Sequence, residues 1–200
     1  MVIRAALLLV LGSALSAQPG AMFRTYERAS LAPVLFGLAE LAGLDVIVGD
    51  GVRGLVSLRV KGELPGVLFV DLVKAYDLKI VDVGGIRVVV PRTTAVASTD
   101  LDRFELLDRR LRLQRVSLEL SAVQLSSLLA LLSREIDLTL VVRPPLGARV
   151  FVRTREKPLP IVLAALATAT NLAWEVRPRT LVLHSPLGPS SSLDPSGEKR

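Results

Sequence analysis

The sequence predicts an α+β protein built from two tandem small β-α-β-β-α-β-β domains, each a mixed sheet packed with two helices. Two observations support this prediction. The pattern of apolar residues recurs after 94 positions, and within each copy segments with helical spacing follow short segments of strand-like alternation. The composition agrees, because 50% of the residues are apolar and only 4% are aromatic, which leaves Leu, Val and Ala as the main core residues.

The repeat is clearest over residues 30–91 and their counterparts 94 positions later. Few aligned residues are identical, but most keep an apolar side chain, as expected for two copies of one fold. The aligned apolar pairs include Leu31 with Leu125, Leu35 with Leu129, Val46 with Leu140, Val56 with Val150, Leu72 with Leu166 and Val88 with Val182. We therefore predict one domain over residues 18–91 and a second over 104–186, each with its own core.

The first copy contains signals for each of its elements. Ser30 and Gly43 are typical of the two ends of a helix, and Gly84-Gly85 is typical of a tight hairpin turn. The predicted elements, in order, are a strand at 23–28, a helix at 30–43, strands at 46–48 and 56–60, a helix at 65–76, and strands at 78–83 and 86–90.

The second copy is predicted to repeat this order. Its elements are a strand at 116–120, a helix at 124–136, strands at 138–142 and 150–152, a helix at 159–171, and strands at 174–176 and 180–184. The stretch 104–115 precedes them and is ambiguous. Its apolar residues and its arginines fit either a lead-in strand or a short helix, and we favour the strand.

The remaining segments predict export. Arg4 precedes a short apolar run that ends at Gly12, and the small residues up to Ala17 are typical of a signal-peptide cleavage site. A membrane-spanning helix needs about 20 apolar residues, which this run does not reach. We expect a cleaved signal peptide over 1–17, a linker over 92–103, a disordered tail over 187–200, and no transmembrane span after cleavage. The lack of cysteine excludes disulfides and a lipid-modified cysteine, and it suits a periplasmic protein.

The sequence offers little chemistry for catalysis. It contains one histidine, His184, without a nucleophile motif, and its acidic residues are scattered rather than spaced as metal ligands. The Gly49-Asp50-Gly51 turn joins two predicted strands, whereas a phosphate-binding loop precedes a helix. We therefore predict that the protein is not an enzyme and has no catalytic residues, no metal and no cofactor.

The basic charge is concentrated in the second copy. Residues 23–91 carry eight Lys or Arg and eight Asp or Glu, whereas residues 116–186 carry eight and five. In the strand that contains Val150 and Val152, alternation places the odd-numbered residues on the face opposite the core. We predict that this face binds proteins through Arg149, Phe151, Arg153, Arg155 and Lys157, with Phe151 as an exposed anchor between arginines. A basic face that is only solvated is the alternative.

Several segments of the first copy occur in the same order in a known family. They are Leu-Asp-Val-Ile-Val at 44–48, Val-Ser-Leu-Arg-Val-Lys at 56–61, Tyr-Asp-Leu at 76–78 and Val-Gly-Gly-Ile-Arg-Val at 83–88. With their counterparts in the second copy, they resemble the short N-terminal domain shared by bacterial secretins and TonB-dependent receptors. The second copy also fits another ring-forming secretin domain. The resemblance implies periplasmic modules that bind other envelope proteins.

From this resemblance we expect a non-enzymatic periplasmic protein-interaction module, accessory to a secretin-type secretion or type IV pilus apparatus in the outer membrane. A secretin continues into an outer-membrane pore domain, which does not follow in this sequence, so we do not expect the chain to be the pore. The expected partners are other envelope proteins of such a machine, which would hold the chain at the outer membrane, and a homo-oligomer is left open. The alternative is a periplasmic nucleic-acid-binding component of DNA uptake that uses the basic second domain.

Overall fold

Each half of the chain folds through the same order of elements, with a short additional helix ahead of the second half. The computed structural model describes residues 23–95, 107–136, 138–143, 147–177 and 180–184. The elements are β1 (Phe23–Ser30), α1 (Leu31–Leu41), β2 (Val46–Val48), β3 (Leu55–Lys61), α2 (Pro65–Ala75), β4 (Leu78–Val83), β5 (Ile86–Pro91), α3 (Arg109–Leu113), β6 (Arg115–Gln124), α4 (Leu125–Ile136), β7 (Thr139–Arg143), β8 (Arg149–Pro158), α5 (Leu159–Thr170), β9 (Ala173–Arg177) and β10 (Thr180–His184). The predicted signal peptide, residues 96–103 of the predicted linker and the predicted tail lie outside the described residues.

The described strands form three sheets. One contains β1 and β3, the second has the order β7-β10-β9, and the third has the order β4-β5-β2-β8-β6. The helices pack against these sheets, with α1 on β2, α2 on β4, α4 on β7 and α5 on β5. The predicted α+β class is therefore confirmed.

The backbone path of the first half recurs in the second half with the offset of 94 residues seen in the sequence. In the antiparallel pair β1–β3, Ala29 lies opposite Val56, and in β6–β8, Val123 lies opposite Val150. β2 runs parallel to β5, as β7 runs parallel to β10. Residues with positive φ recur at the same offset: Arg28 with Ala122, Gly62 with Glu156, and Asp77 with Asn171. Because positive φ is uncommon outside glycine, this agreement indicates the same backbone path in both halves.

The two halves share a sheet, because β2 of the first half pairs with β8 of the second. The pairing is antiparallel and places Val46 opposite Arg153, Ile47 opposite Val152 and Val48 opposite Phe151. An unpaired strand edge exposes backbone N–H and C=O groups, and this contact gives partners to two such edges. The expectation of one separate mixed sheet per domain is corrected here, whereas the predicted domain boundaries stay a prediction. We call the contact between residues 45–50 and residues 149–157 the seam.

Helix α5 is central to this arrangement. Nine of its 12 residues are buried, because it packs against β5, β8 and β2, and such all-round burial is typical of a helix inside a core. Ile47 and Val88 lie in the core that contains α5, whereas Val48 and Val89 lie in the core of α1 and α2. Burial on both faces explains why Val46–Val48 in β2 and Val88–Val90 in β5 are continuous apolar runs rather than alternating ones.

The stretch ahead of the second half contains a helix rather than the favoured strand. α3 spans Arg109–Leu113, and the side chain of Asp108 accepts a hydrogen bond from the Arg110 N–H at 2.9 Å. Leu107 and Leu111 are four positions apart and are both buried in the core of the second half. The N-terminal cap and this burial of one face favour the helical turn. The earlier part of the stretch lies outside the described residues.

Helix α1 starts directly after Ser30, as predicted, but its first N–H is satisfied differently. The Ser30 side chain makes no capping hydrogen bond, and the Leu31 N–H donates to the Gly54 carbonyl at 3.0 Å. At the other end Gly43 has a φ of 68°, the left-handed conformation with which glycine commonly terminates a helix.

Candidate protein-interaction surface

The five residues predicted to bind a partner lie along β8, an inner strand of the five-stranded sheet. Their exposure differs: Arg149 and Arg155 are exposed, Phe151 and Lys157 are half-buried, and Arg153 exposes only 5% of its surface. They do not form one solvated basic face, because one edge of β8 is paired with β2 and α1 packs against the strand. In this chain they join the two halves, and their binding of another protein stays a prediction.

Phe151 is the clearest correction. Its ring packs against the core of the first half, with its centroid 5.7 Å from that of Phe36 and an interplanar angle of 46°. Tilted aromatic pairs at this separation are favourable beyond their apolar burial. The prediction that Phe151 is exposed is therefore wrong, because its ring packs against Phe36 of helix α1, whereas its part in binding a partner stays a prediction.

Two carboxylates of the first half hold the ends of β8 where β2 is too short to reach. β2 has 3 residues and β8 has 10, so N–H groups of β8 extend beyond the ladder. The Arg149 N–H donates to the Asp50 carboxylate at 3.2 Å, and the Arg155 N–H donates to the Asp45 carboxylate at 3.0 Å. The N–H groups of Arg149 and Arg155, at the two ends of the seam, thus donate to charged carboxylates. Hydrogen bonds to charged acceptors are stronger than those to neutral acceptors.

Asp45 also forms an ion pair across the seam. Its carboxylate lies 3.2 Å from the Lys157 Nζ, and the two side chains are only 18% and 21% exposed. Lys157 Nζ donates in addition to the Gly85 carbonyl at 3.4 Å. Solvent screens the attraction of such a partly buried pair less than that of an exposed surface pair. The charge of Lys157 is thus engaged within the chain.

Arg153 brings a buried charge into the seam. It lies opposite Val46 on β2 and opposite Glu119 on β6. Among the described residues, its Nε and Nη1 atoms have no hydrogen-bond partner, and neither does the Thr154 hydroxyl beside it. A buried polar group without a partner costs about 1–3 kcal/mol. The pairing and apolar packing around Arg153 must therefore offset this cost.

Two glycines of the first half allow α5 to approach the sheet closely. A Cβ atom on Gly49 would overlap the backbone carbonyl of Ala169, and one on Gly84 would lie 2.6 Å from the Ile161 side chain. Sequence reasoning assigned Gly49 to a turn and missed this contact. The signal was the difference between the copies, because the counterpart of Gly49 is Arg143.

The counterpart of β8 in the first half is β3, which pairs only with β1 among the described residues. The N–H groups of Arg149 and Arg155 point toward the first half, so by the repeat the N–H groups of Leu55 and Lys61 point away from β1. The Lys61 N–H donates to the Glu63 carboxylate at 2.7 Å. We call residues 55–61, with these outward backbone groups, the β3 edge.

Exposed apolar side chains lie on the β3 edge and directly after it. Leu55 is 55% exposed, and Leu64 and Val67, which follow the edge, are 71% and 52% exposed. The counterpart of Val67 in the second half is Ile161, which packs against Gly84 of the first half. The first half thus exposes an apolar residue at a position that the second half uses to contact a neighbouring unit.

Other chemistry is sparse in the parts of the chain that the structure covers. There, no three His, Cys, Asp or Glu residues lie close enough to hold a metal ion, and no helix is long and apolar enough to cross a membrane. A cleft between the halves, near Asp50 and Asn171, is lined mainly by small side chains and backbone. Its Asp50 carboxylate already accepts from the Arg149 N–H. Unpaired strand edges, in contrast, present backbone groups with which another chain can pair.

The solved structures that are similar to this chain include two from a type II secretion system. The N0 domain of the type II secretin from enterotoxigenic Escherichia coli matches with a TM-score of 0.32 and 21% identity, over 36% of this chain and 95% of that one. The GspC-GspD complex of the type II secretion system from the same organism matches with a TM-score of 0.31 and 16% identity, over 72% of this chain and 92% of that one. No protein-family model and no curated protein matches. Both TM-scores are low, so no function of this chain follows from these structures.

Proposed function

We propose that the chain is a non-enzymatic periplasmic module that binds another protein by strand pairing at the β3 edge. The proposed setting is a secretin-type secretion or pilus apparatus, to which the chain is accessory. The sequence segments that resemble secretin N-terminal domains support this setting, and the N-terminal segment supports export. Association with the outer membrane would come through the partner.

The observation that carries the proposal is the seam. There β8, a strand of one repeated unit, accepts a strand of the other unit along its edge, over Val46–Val48. β3 has the same place in its own unit, and among the described residues its outer edge is unpaired. Backbone pairing tolerates varied partner sequences, while side chains beside the edge add specificity. Exposed Leu55 and Val67 are placed to do this.

Nucleic-acid binding by the second half is less well supported by the positions of its basic residues. Arg153 is buried and Lys157 is paired with Asp45, so two members of the predicted set remain exposed, Arg149 and Arg155. Binding to nucleic acid depends on cations that can reach phosphates. Two exposed arginines on β8 are a small basis for such binding.

The test distinguishes the contribution of the β3-edge backbone to partner binding from the contribution of its side chains. Arg59→Pro removes an outward N–H, whereas Arg59→Ser keeps that N–H and removes only an exposed side chain. Proline is tolerated on an edge strand where the N–H makes no ladder bond. A photo-crosslinking amino acid in place of exposed Leu55 reports contacts of the exported chain in cells that carry a secretin-type machine.

We expect adducts between position 55 and a protein of the envelope, either another component of that machine or a second copy of this chain. The yield should fall about tenfold in Arg59→Pro, which corresponds to about 1.4 kcal/mol for one lost backbone hydrogen bond, and persist in Arg59→Ser. The crosslinker at exposed Ser127 on α4 is the control. Equal yields from the proline and serine variants, or no adduct, would contradict strand pairing. Capture of DNA that weakens steeply with salt would favour the nucleic-acid alternative.

A further inference from the structure

We propose that the β3 edge binds a second copy of this chain, whose β7 edge pairs with it head to tail. The proposal rests on the proposed function, since it uses the same edge and names its occupant. It follows from the seam, in which two units with the same fold meet through strands that are not counterparts of each other.

The seam uses one edge from each repeated unit, and among the described residues the matching edges pair with no further strand. It joins β2 of the first half to β8 of the second. The counterpart of β2 in the second half is β7, and the counterpart of β8 in the first half is β3. Both lie at sheet edges among the described residues. A contact between unlike surfaces of like units can be repeated by further copies, and it gives a ring if the rotation closes or a filament if it does not.

The β7 edge resembles the β2 edge that is already paired. Leu140 and Val141 stand where Val46 and Ile47 stand, and both are half-buried. β7 pairs in parallel with β10 in the register that β2 has with β5. β7 has 5 residues against 3 in β2, so it presents a longer edge. An apolar strand with one free edge is a template for pairing with another chain.

The register of the seam predicts the register of the second contact. Val46 lies opposite Arg153 and Ile47 opposite Val152 in the seam. Moving both edges by the repeat places Leu140 opposite Arg59, and Val141 opposite Leu58, of the next copy. Val67 of that copy would then occupy the position that Ile161 has at the seam, which accounts for its exposure.

The second contact is expected to be weaker than the seam. Gly49, which admits the end of α5, has Arg143 as its counterpart, so an equally close approach is not expected. At the second contact Thr139, which is neutral, stands where Asp45 stands at the seam. The ion pair that Asp45 forms with Lys157 is therefore not repeated there. The association between copies should therefore be reversible and depend on protein concentration. The seam is intramolecular, so its formation does not depend on concentration.

Introduced thiols test this register, because the chain has no cysteine of its own. One preparation carries Leu58→Cys and another carries Val141→Cys, and the two are mixed under mild oxidation. We expect a disulfide-linked dimer in the mixture, absent from either preparation alone and removed by reductant. A chain with both substitutions should give a ladder of multimers. Ile47→Cys with Val152→Cys in one chain tests the same geometry at the seam and should close without a dimer.

The mixture of Leu58→Cys with Ser127→Cys is the matched control, because Ser127 is exposed on helix α4 and is not part of a strand. The proposal is overturned if the Leu58→Cys and Val141→Cys mixture gives no more dimer than this control. It is also overturned if Leu58→Cys alone dimerises, since the β3 edge would then pair with itself. In either case adducts from position 55 to an envelope protein other than this chain would leave the proposed function standing. Loss of those adducts as well would remove both.

Discussion

The guanidinium of Arg153 is buried at the seam although two of its nitrogens have no partner among the described residues. Replacing it with an apolar side chain of similar length removes a desolvated charge, so Arg153→Met should raise the free energy of unfolding by about 1–3 kcal/mol. Arg155→Met, at an exposed position of the same strand, should change it by no more than about 0.5 kcal/mol. Urea denaturation of the three proteins measures both values. A lower stability of Arg153→Met would mean that this guanidinium is stabilised where it lies.

The burial of Arg153 could not be predicted from the alternation of residues along β8. Val150 and Val152 are fully buried in the second-half core, as predicted, and Phe151 and Arg153 do point to the other side of β8. Alternation defines which residues share a face, but it does not define what covers that face. Here helix α1 covers it, so an aromatic between arginines, typical of a binding surface, is used inside the molecule.

At the scale of elements, α2 and α5 are counterparts with different surroundings. α5 is buried on most sides, whereas α2 exposes Val67 and Asp71. They start 94 positions apart, at Pro65 and Leu159, and have 11 and 12 residues. The local sequence therefore forms the same helix twice, and the contact of α5 with the first-half sheet makes the difference.

The close approach of α5 to β2 can be tested with two glycines. Gly49→Ala should lower the free energy of unfolding by about 1–3 kcal/mol, because the added methyl group meets the Ala169 carbonyl, a backbone atom that moves only if α5 moves. Gly37→Ala in α1 is the matched control, since a Cβ there meets no atom within 4 Å. It should stabilise the protein by about 0.5–1 kcal/mol, the usual gain of alanine over glycine in a helix. Thermal and urea unfolding would contradict the packing of α5 if the two substitutions acted alike.

For the whole molecule, the shared sheet changes the expected unfolding. The core around α5 contains Ile47 and Val88 of the first half together with residues of the second, so neither half keeps its full core alone. Cleavage between about Thr93 and Arg110 should leave two fragments that co-elute on a sizing column and separate only in denaturant. The intact chain should unfold in one transition, measured by circular dichroism. Fragments that separate without denaturant would instead support two independent domains, as the sequence alone predicted.

The sequence by itself determined the α+β class, the order of the elements and most of their bounds. These features depend on local periodicity and on residues at the ends of elements, such as Gly43. Because the pattern occurs in both copies, each element is indicated twice by the sequence. The short helix α3 was the exception, because a few residues do not distinguish helical spacing from alternation. Asp108, its cap, was the signal in favour of the helix.

Only the tertiary structure decided which strand edges meet. The pairing of β2 with β8 joins residues more than 100 positions apart, and nothing local distinguishes a strand edge that finds a partner in the same chain from one that stays free. That pairing buried Arg153, seated Phe151 on Phe36 and engaged Lys157 with Asp45. The physical reason is that alternation depends on neighbouring residues, whereas exposure depends on everything that packs against them.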